Sequence, residues 1–147
     1  GQGELLLSPA AMLTLYCAAA YDGSYALPTA VAGTLAGGKL TPAAERGRTR
    51  VMTAGTAKKL REYLSAVITE GTGKAAAPKT VSAAGKTATA QTGRYENGKE
   101  ICEGWFCGFF PAEEPQYTVI VFSENTEKQT KSCAEIFAAI ADRLSEK

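Results

Sequence analysis

Apolar and polar positions along the 147 residues fall into rhythms that predict three helices and a small sheet. From Ser8 to Tyr21 the chain is apolar nearly all round, with Met12, Leu13, Leu15, Tyr16 and Cys17 set among alanines. Ser8 suits an N-cap and Pro9 the first helical position, so this stretch predicts a buried helix ended by Asp22-Gly23. Between residues 56 and 70, Leu60, Leu64, Val67 and Ile68 form a helical stripe. Lys58, Lys59, Arg61 and Glu62 are expected on its water-facing side. Gly71-Thr72-Gly73 stops that helix, and a loop runs through Pro78. The clearest stripe comes last: Cys133, Ile136, Phe137, Ile140, Ala141 and Leu144, with Ser132 and Glu135 spaced for a capping box.

Between these helices the period changes. Residues 81–92, 104–110 and 117–122 predict strands, with Asn97-Gly98 as a hairpin turn between the first two. Short connections make all three antiparallel neighbours. Strands two and three are apolar on both faces, which requires helices on both sides of the sheet. The first strand differs: after Lys86 it reads Thr, Ala, Thr, Ala, Gln, Thr, as suits an exposed edge that meets a ligand. Residues 24–50 are rich in Gly, Pro, Ala and Thr and predict irregular structure, with one short strand pair around Val31 and Val51. The expected fold class is α/β of the α+β type: an antiparallel sheet of about three strands flanked by helices in one domain.

Composition narrows the chemistry. An apolar content of 45% with 21% charged residues belongs to a globular domain, and a net charge of +1 gives no field to gather nucleic acid or an acidic membrane surface. No run of about 18 uncharged apolar residues is present to span a bilayer. Histidine is absent, which removes the commonest general base, the Ser-His-Asp arrangement and imidazole metal sites. Cys17, Cys102, Cys107 and Cys133 lack a CxxC spacing, so no metal site is expected. They read as reduced, mostly buried thiols; Cys102 and Cys107 fall on opposite faces of one strand and cannot easily bridge. No cofactor is indicated.

The stretch "SAAGKTATAQTG" from Ser82 to Gly93 carries the chemical question. Gly-Lys-Thr ends a nucleotide-binding P-loop, but that loop needs a glycine five residues before Gly85, where Thr80 stands. It also needs a helix to begin at the lysine, whereas "TATAQTG" is prone to strand or turn. A lysine on an edge strand offers something else: a fixed positive charge, hydroxyls two residues apart that can bind a carboxylate, and free backbone N–H groups to pair with a peptide or hold an oxyanion. Lys-Thr-Gly stands beside S-x-x-K and an S-x-N-type triad in serine enzymes that react with β-lactams.

Five blocks in order extend this likeness over nearly the whole chain. They are "GQGELLLSPAAM", "AAAYDGSYALP", "LREYLSAVITEGTGKAA", "AGKTATAQTG" and "WFCGFFPAEEPQYTVIVF". Together the sequence resembles the C-terminal half of a class B penicillin-binding protein transpeptidase domain. The resemblance implies part of a β-lactamase/transpeptidase-like fold and a serine D,D-transpeptidase that cross-links peptidoglycan stem peptides and is acylated by β-lactams. It implies that Lys86 assists proton transfer at the nucleophile, that Thr87 binds the ligand carboxylate, and that Thr89 gives its backbone N–H to the oxyanion hole and its hydroxyl to the ligand. Ala88 stands where the family carries glycine, and its methyl is expected to point the same way as Lys86. Tyr95, Gln91 and Trp105 receive no role, and Trp105 is expected in the core.

The serines are read as lacking the partners of both S-x-x-K and S-x-N, which in the family lie ahead of GQG. The expectation is therefore a segment, opening abruptly at Gly1, whose nucleophile belongs to an N-terminal half outside this sequence. Alone it would be inactive, with apolar surfaces uncovered and a tendency to dimerise, exchange strands or be marginally stable. The resemblance further implies a membrane-anchored parent with this domain outside the cytoplasm. Two alternatives are a non-catalytic β-lactam sensor or degenerate cell-wall scaffold, and a free-standing binding domain.

Overall fold

A computed structural model describes residues 5–44 and 46–146. In chain order the elements are α1 (Pro9–Ala20), β1 (Ser24–Ala26), β2 (Gly33–Ala36), β3 (Lys39–Pro42), β4 (Arg48–Arg50), α2 (Ala54–Thr69), β5 (Ala84–Glu96), β6 (Lys99–Phe110), β7 (Tyr117–Ser123) and α3 (Cys133–Ser145). Single 3-10 turns occupy Lys74–Ala76 and Thr126–Lys128. The Gly1-Gln2-Gly3 part of the first resemblance block lies outside the described residues.

The sheet has the order β5-β6-β7, antiparallel throughout, so β5 is an edge. Asn97 and Gly98 both have positive φ, 52° and 77°, as a two-residue type I′ hairpin requires. The strands zip right up to that turn, which is why β5 and β6 run longer than their apolar cores predict. Alternation then divides the side chains between the faces. Phe106 and Phe110 meet Val119, Val121 and, from α3, Phe137; Phe109 meets Ala20 of α1 and Leu64 of α2 on the other face. Both faces are covered, as expected. Phe106, Phe109, Phe110 and Phe137 are fully buried, each contributing roughly 1.5–3 kcal/mol.

Helix starts follow their sequence signals. Ser8, Thr53 and Ser132 cap α1, α2 and α3, and the Ser132–Glu135 capping box is formed. Helix α1 is less buried than its composition suggests. Only Ala18, Ala19 and Ala20 are sealed, because these small side chains let its C-terminal end approach closely, while Leu15 remains 46% exposed. Arg61 does not face water either: its guanidinium donates to the carbonyls of Ala19, Ala20 and Tyr21, satisfying the open C-terminal end of α1. Of the thiols, Cys107 and Cys133 are buried and Cys17 and Cys102 half-buried; all four are free.

The segment 24–50 holds two strand pairs rather than one. β1 pairs with β4, and β2 with β3 around Gly37-Gly38, whose φ values of 56° and 76° make a second tight hairpin. Val31 lies outside both pairs and Val51 just after β4. The β1–β4 pair is set by polar contacts. Asp22 accepts from the Ser24 N–H and hydroxyl and from Arg50, while Arg48 donates to the Ser24 hydroxyl and carbonyl.

Candidate functional site

The Gly of Gly-Lys-Thr has a packing task. A Cβ on Gly85 would stand 2.7 Å from the Cys107 carbonyl oxygen and from the Phe106 ring, so glycine lets β5 lie close against β6 beneath that ring. Lys86 follows on a strand, not at a helix start, and the phosphate-loop geometry is absent at this motif.

The register places Lys86 opposite Cys107 and Ala88 opposite Trp105, on the face that also carries Phe109 and packs toward α1. Thr87 lies opposite Phe106 and Thr89 opposite Gly104, on the α3 face. The Ala88 methyl thus shares its face with Lys86, as alternation predicts. Lys86 and Thr89 are exposed, and Thr87 and Ala88 half-buried. Trp105 is half-buried rather than core, stacked obliquely on Phe122 with ring centroids 4.3 Å apart.

The Lys86 ammonium curls along the edge and donates to the Thr87 carbonyl at 2.8 Å and the Thr87 hydroxyl at 3.3 Å. The ion pairs among the described residues do not include Lys86, so its charge is uncompensated. The Thr87 hydroxyl also stands 3.5 Å from that of Thr72. Thr72 is held between Gly71 and Gly73, whose N–H groups donate to the Ala66 and Val67 carbonyls at the end of α2. Side chains at either glycine would strike Val67, so the turn hugs that helix and presents Thr72 toward β5. The sequence marks this Gly-Thr-Gly as a helix stop and as part of the third resemblance block; the contact of Thr72 with Thr87 is what the fold adds.

The edge continues past Thr89 to a bulge. Gln91 pairs with Cys102 but Tyr95 with Glu100, so three residues of β5 oppose Ile101 alone. On the α1 side of the sheet, burial raises the pKa of the Tyr16 phenol and of the Cys107 thiol, the latter to about 11, so neither supplies an anion near neutral pH. No group of three or more His, Cys, Asp or Glu able to hold a metal occurs among the described residues. Two surface clefts, about 280 Å³ by Glu96 and Glu127 and about 480 Å³ by Thr53 and Lys58, lie away from Lys86. Lys86 therefore presents an open strand edge.

One serine does carry the partner of an S-x-N triad, contrary to the expectation from sequence. Ser123-Glu124-Asn125 does spell S-x-N. It sits at the end of β7, the opposite edge from β5; Ser123 donates to the Asn125 carbonyl, and Asn125 caps the Thr126–Lys128 turn. Its side chains are spent locally, two strands from Lys86.

An uncompensated ammonium, hydroxyls and unpaired backbone groups on one edge can hold a carboxylate-bearing extended ligand and stabilise an oxyanion. Comparison with known proteins agrees with this architecture. The family profile for the penicillin binding protein transpeptidase domain matches residues 1–142. Stage V sporulation protein D of Bacillus subtilis is 36% identical over 109 residues, 72% of this chain and 16% of that protein. Penicillin-binding protein A from M. tuberculosis, solved as an imipenem acyl-enzyme complex, superposes with a TM-score of 0.79 at 25% identity, over 98% of this chain and 32% of that one. The D,D-transpeptidase domain of a peptidoglycan glycosyltransferase from Eggerthella lenta gives 0.74 at 29% identity, over 91% and 31%. The chain thus spans well under two thirds of each relative.

Proposed function

The chain belongs to the penicillin-binding protein transpeptidase domain family, and on that premise we propose that it supplies the substrate-binding strand of a D,D-transpeptidase. The reaction is serine acyl transfer between peptidoglycan stem peptides, at a site that β-lactams also acylate. The observation that carries this reading is the free β5 edge with the uncompensated Lys86 ammonium beside the Thr87 hydroxyl.

In this reading Lys86 is catalytic: its fixed charge favours deprotonation of a nearby serine and steadies the anion that forms. Thr87 donates its hydroxyl to the ligand carboxylate. Thr89 offers its backbone N–H to the tetrahedral oxyanion and its hydroxyl to the ligand. Ala88 sets how closely the ligand can pass. The serine of S-x-x-K, its lysine base and a functional S-x-N come from another part of the polypeptide, outside this sequence. The attacking serine oxygen forms an ester with the donor carbonyl as the peptide C–N bond breaks and the amine leaves. An acceptor amine then releases the serine.

The partners are stem peptides, β-lactams and the remainder of the transpeptidase domain; the exposed Leu5, Leu6 and Leu15 are surface that the remainder would cover. With that part absent, the same surface would favour a homodimer of this chain. The domain acts on the outer side of the cytoplasmic membrane. No helix among the described residues is long and apolar enough to cross a membrane, so an anchor too would belong elsewhere in the polypeptide.

Fluorescent penicillin tests the assignment. The full-length polypeptide is expected to form a covalent adduct, Lys86→Ala to lower its rate by at least about 100-fold, and this chain alone to remain unlabelled. A stable adduct on this chain alone would overturn the division of labour. An unlabelled full-length protein would favour the degenerate-scaffold reading, toward which Ala88 points.

A further inference from the structure

Side chains hold the two amides of the β5 bulge. One Glu100 carboxylate oxygen accepts from the Gly93 N–H at 3.0 Å and the other from the Gln91 side-chain amide at 2.8 Å. The Thr92 hydroxyl accepts from the Arg94 N–H at 3.1 Å and donates to the Ile101 carbonyl. Gly93 adopts φ 67°, the left-handed conformation that turns the strand out of its ladder. Bulges of this kind bend a strand and end its pairing. The amides at positions 93 and 94 are already used by this chain and cannot pair with another.

The other end of the edge is closed as well. Ala83, Ala84 and Gly85 are buried, and the turn that carries Thr72 stands against Thr87. Between these limits only Lys86 to Gln91 remains in regular register, six residues of strand or roughly 20 Å of backbone. Past the bulge, Lys128–Glu96 and Lys99–Glu127 pairs at 2.9 and 3.1 Å link the arm to the Thr126–Lys128 turn.

We propose that the Glu100-stapled bulge is a length gate: it confines an extended ligand on β5 to the six-residue window Lys86–Gln91, and Glu100 is a specificity-determining residue that acts by holding the bulge. The proposal rests on the reading of β5 as the ligand edge. The favoured ligand is a short extended peptide with a carboxylate near Lys86. A longer peptide must leave its additional backbone groups unpaired against the bulge.

The test uses the full-length polypeptide and synthetic stem peptides, either of pentapeptide length or extended by one to four residues at each end in turn. KM and kcat are measured for the unaltered protein, Glu100→Ala and Glu100→Gln. In the unaltered protein, peptides running past the window toward the hairpin should bind about tenfold more weakly than the short one, from one or two unmade hydrogen bonds. Glu100→Ala should reduce that ratio to about twofold, leave the short peptide's kcat and KM unchanged, and deprotect the Gly93 amide in hydrogen exchange. Glu100→Gln keeps an acceptor for Gly93 and should restore discrimination. Equal binding of all lengths by the unaltered protein, or an unchanged ratio in Glu100→Ala with Gly93 deprotected, overturns the gate but leaves the β5 assignment standing. Failure of every peptide to bind the unaltered protein overturns both.

Discussion

The β5–β6–β7 sheet with α3 and the segment from Asp22 to Met52 are built on opposite principles. In the sheet, shape does the holding. Phe106 and Phe110 pack against Phe137 with ring centroids 4.6 and 5.8 Å away, and Gly85 and Gly108 exist to let backbone and rings approach. In the 22–52 segment, β2 and β3 are almost wholly exposed, Leu35 and Leu40 included. There the holding is done by Asp22, Ser24, Arg48 and Arg50, with Arg48 also lying 4.0 Å over the Tyr21 ring. Lys86, Thr87 and Thr89, the residues proposed to meet the ligand, stand on the packed half. The polar half should respond to pH and salt more strongly than the phenylalanine centre of the packed half.

The largest effect expected is at the centre of the packed half. Phe137→Ala leaves a cavity between Phe106 and Phe110 and should cost about 3–5 kcal/mol in urea unfolding. A loss below about 1 kcal/mol would break the contrast. Next comes a matched pair of glycines. Gly85→Ala forces a methyl onto the Cys107 carbonyl and should cost about 1–3 kcal/mol. Gly37→Asn, at a left-handed turn position with no atom within 4 Å, should stay within about 0.5 kcal/mol of the parent. Equal costs would show that the two halves are not packed differently.

What the sequence revealed follows the same division. Elements held by periodic burial or a local turn code were legible: the α3 stripe, the Ser132–Glu135 box, the Asn97-Gly98 hairpin and β5 as the edge. Those held by distant polar partners were not. Nothing near Ser24 announces that Arg48 and Arg50 will pair β4 with β1, and nothing near Arg61 that it will close α1 from 40 residues away. The bulge was hidden because Glu100 supplies the missing acceptor from the other strand. The placement of Lys86, Thr87, Ala88 and Thr89 along one strand followed from alternation, but the contact of Thr72 with Thr87 needed three dimensions.

Acid should separate the halves. Asp22 is held down to about pH 2 by the Ser24 hydroxyl and then by the Arg50 guanidinium, below its ordinary value near 3.8. A depressed carboxylate contributes stability that is complete above the ordinary value and is lost as pH falls through the folded one. Between about pH 4 and 2 the amides of β1 and β4 should therefore lose hydrogen-exchange protection before those of β6. Asp22→Asn should remove that pH dependence; protection that falls in step across both regions would count against a separate polar half.

The smallest effect sharpens the contrast, because it concerns the same kind of ion pair in a different setting. Lys99 and Glu127 stand 3.1 Å apart at the arm tip with side chains 73% and 60% exposed. Each group is nearly as well solvated apart as together, so water and salt replace what the pair loses. Asp22 differs because it also holds the N–H and hydroxyl of Ser24, a residue only 5% exposed. Lys99→Ala should thus change unfolding stability by less than about 1 kcal/mol, and 0.5 M salt should abolish even that. A larger, salt-resistant loss would mean that the arm tip belongs with the polar network around Asp22. Its charges would then help to hold the bulge in place.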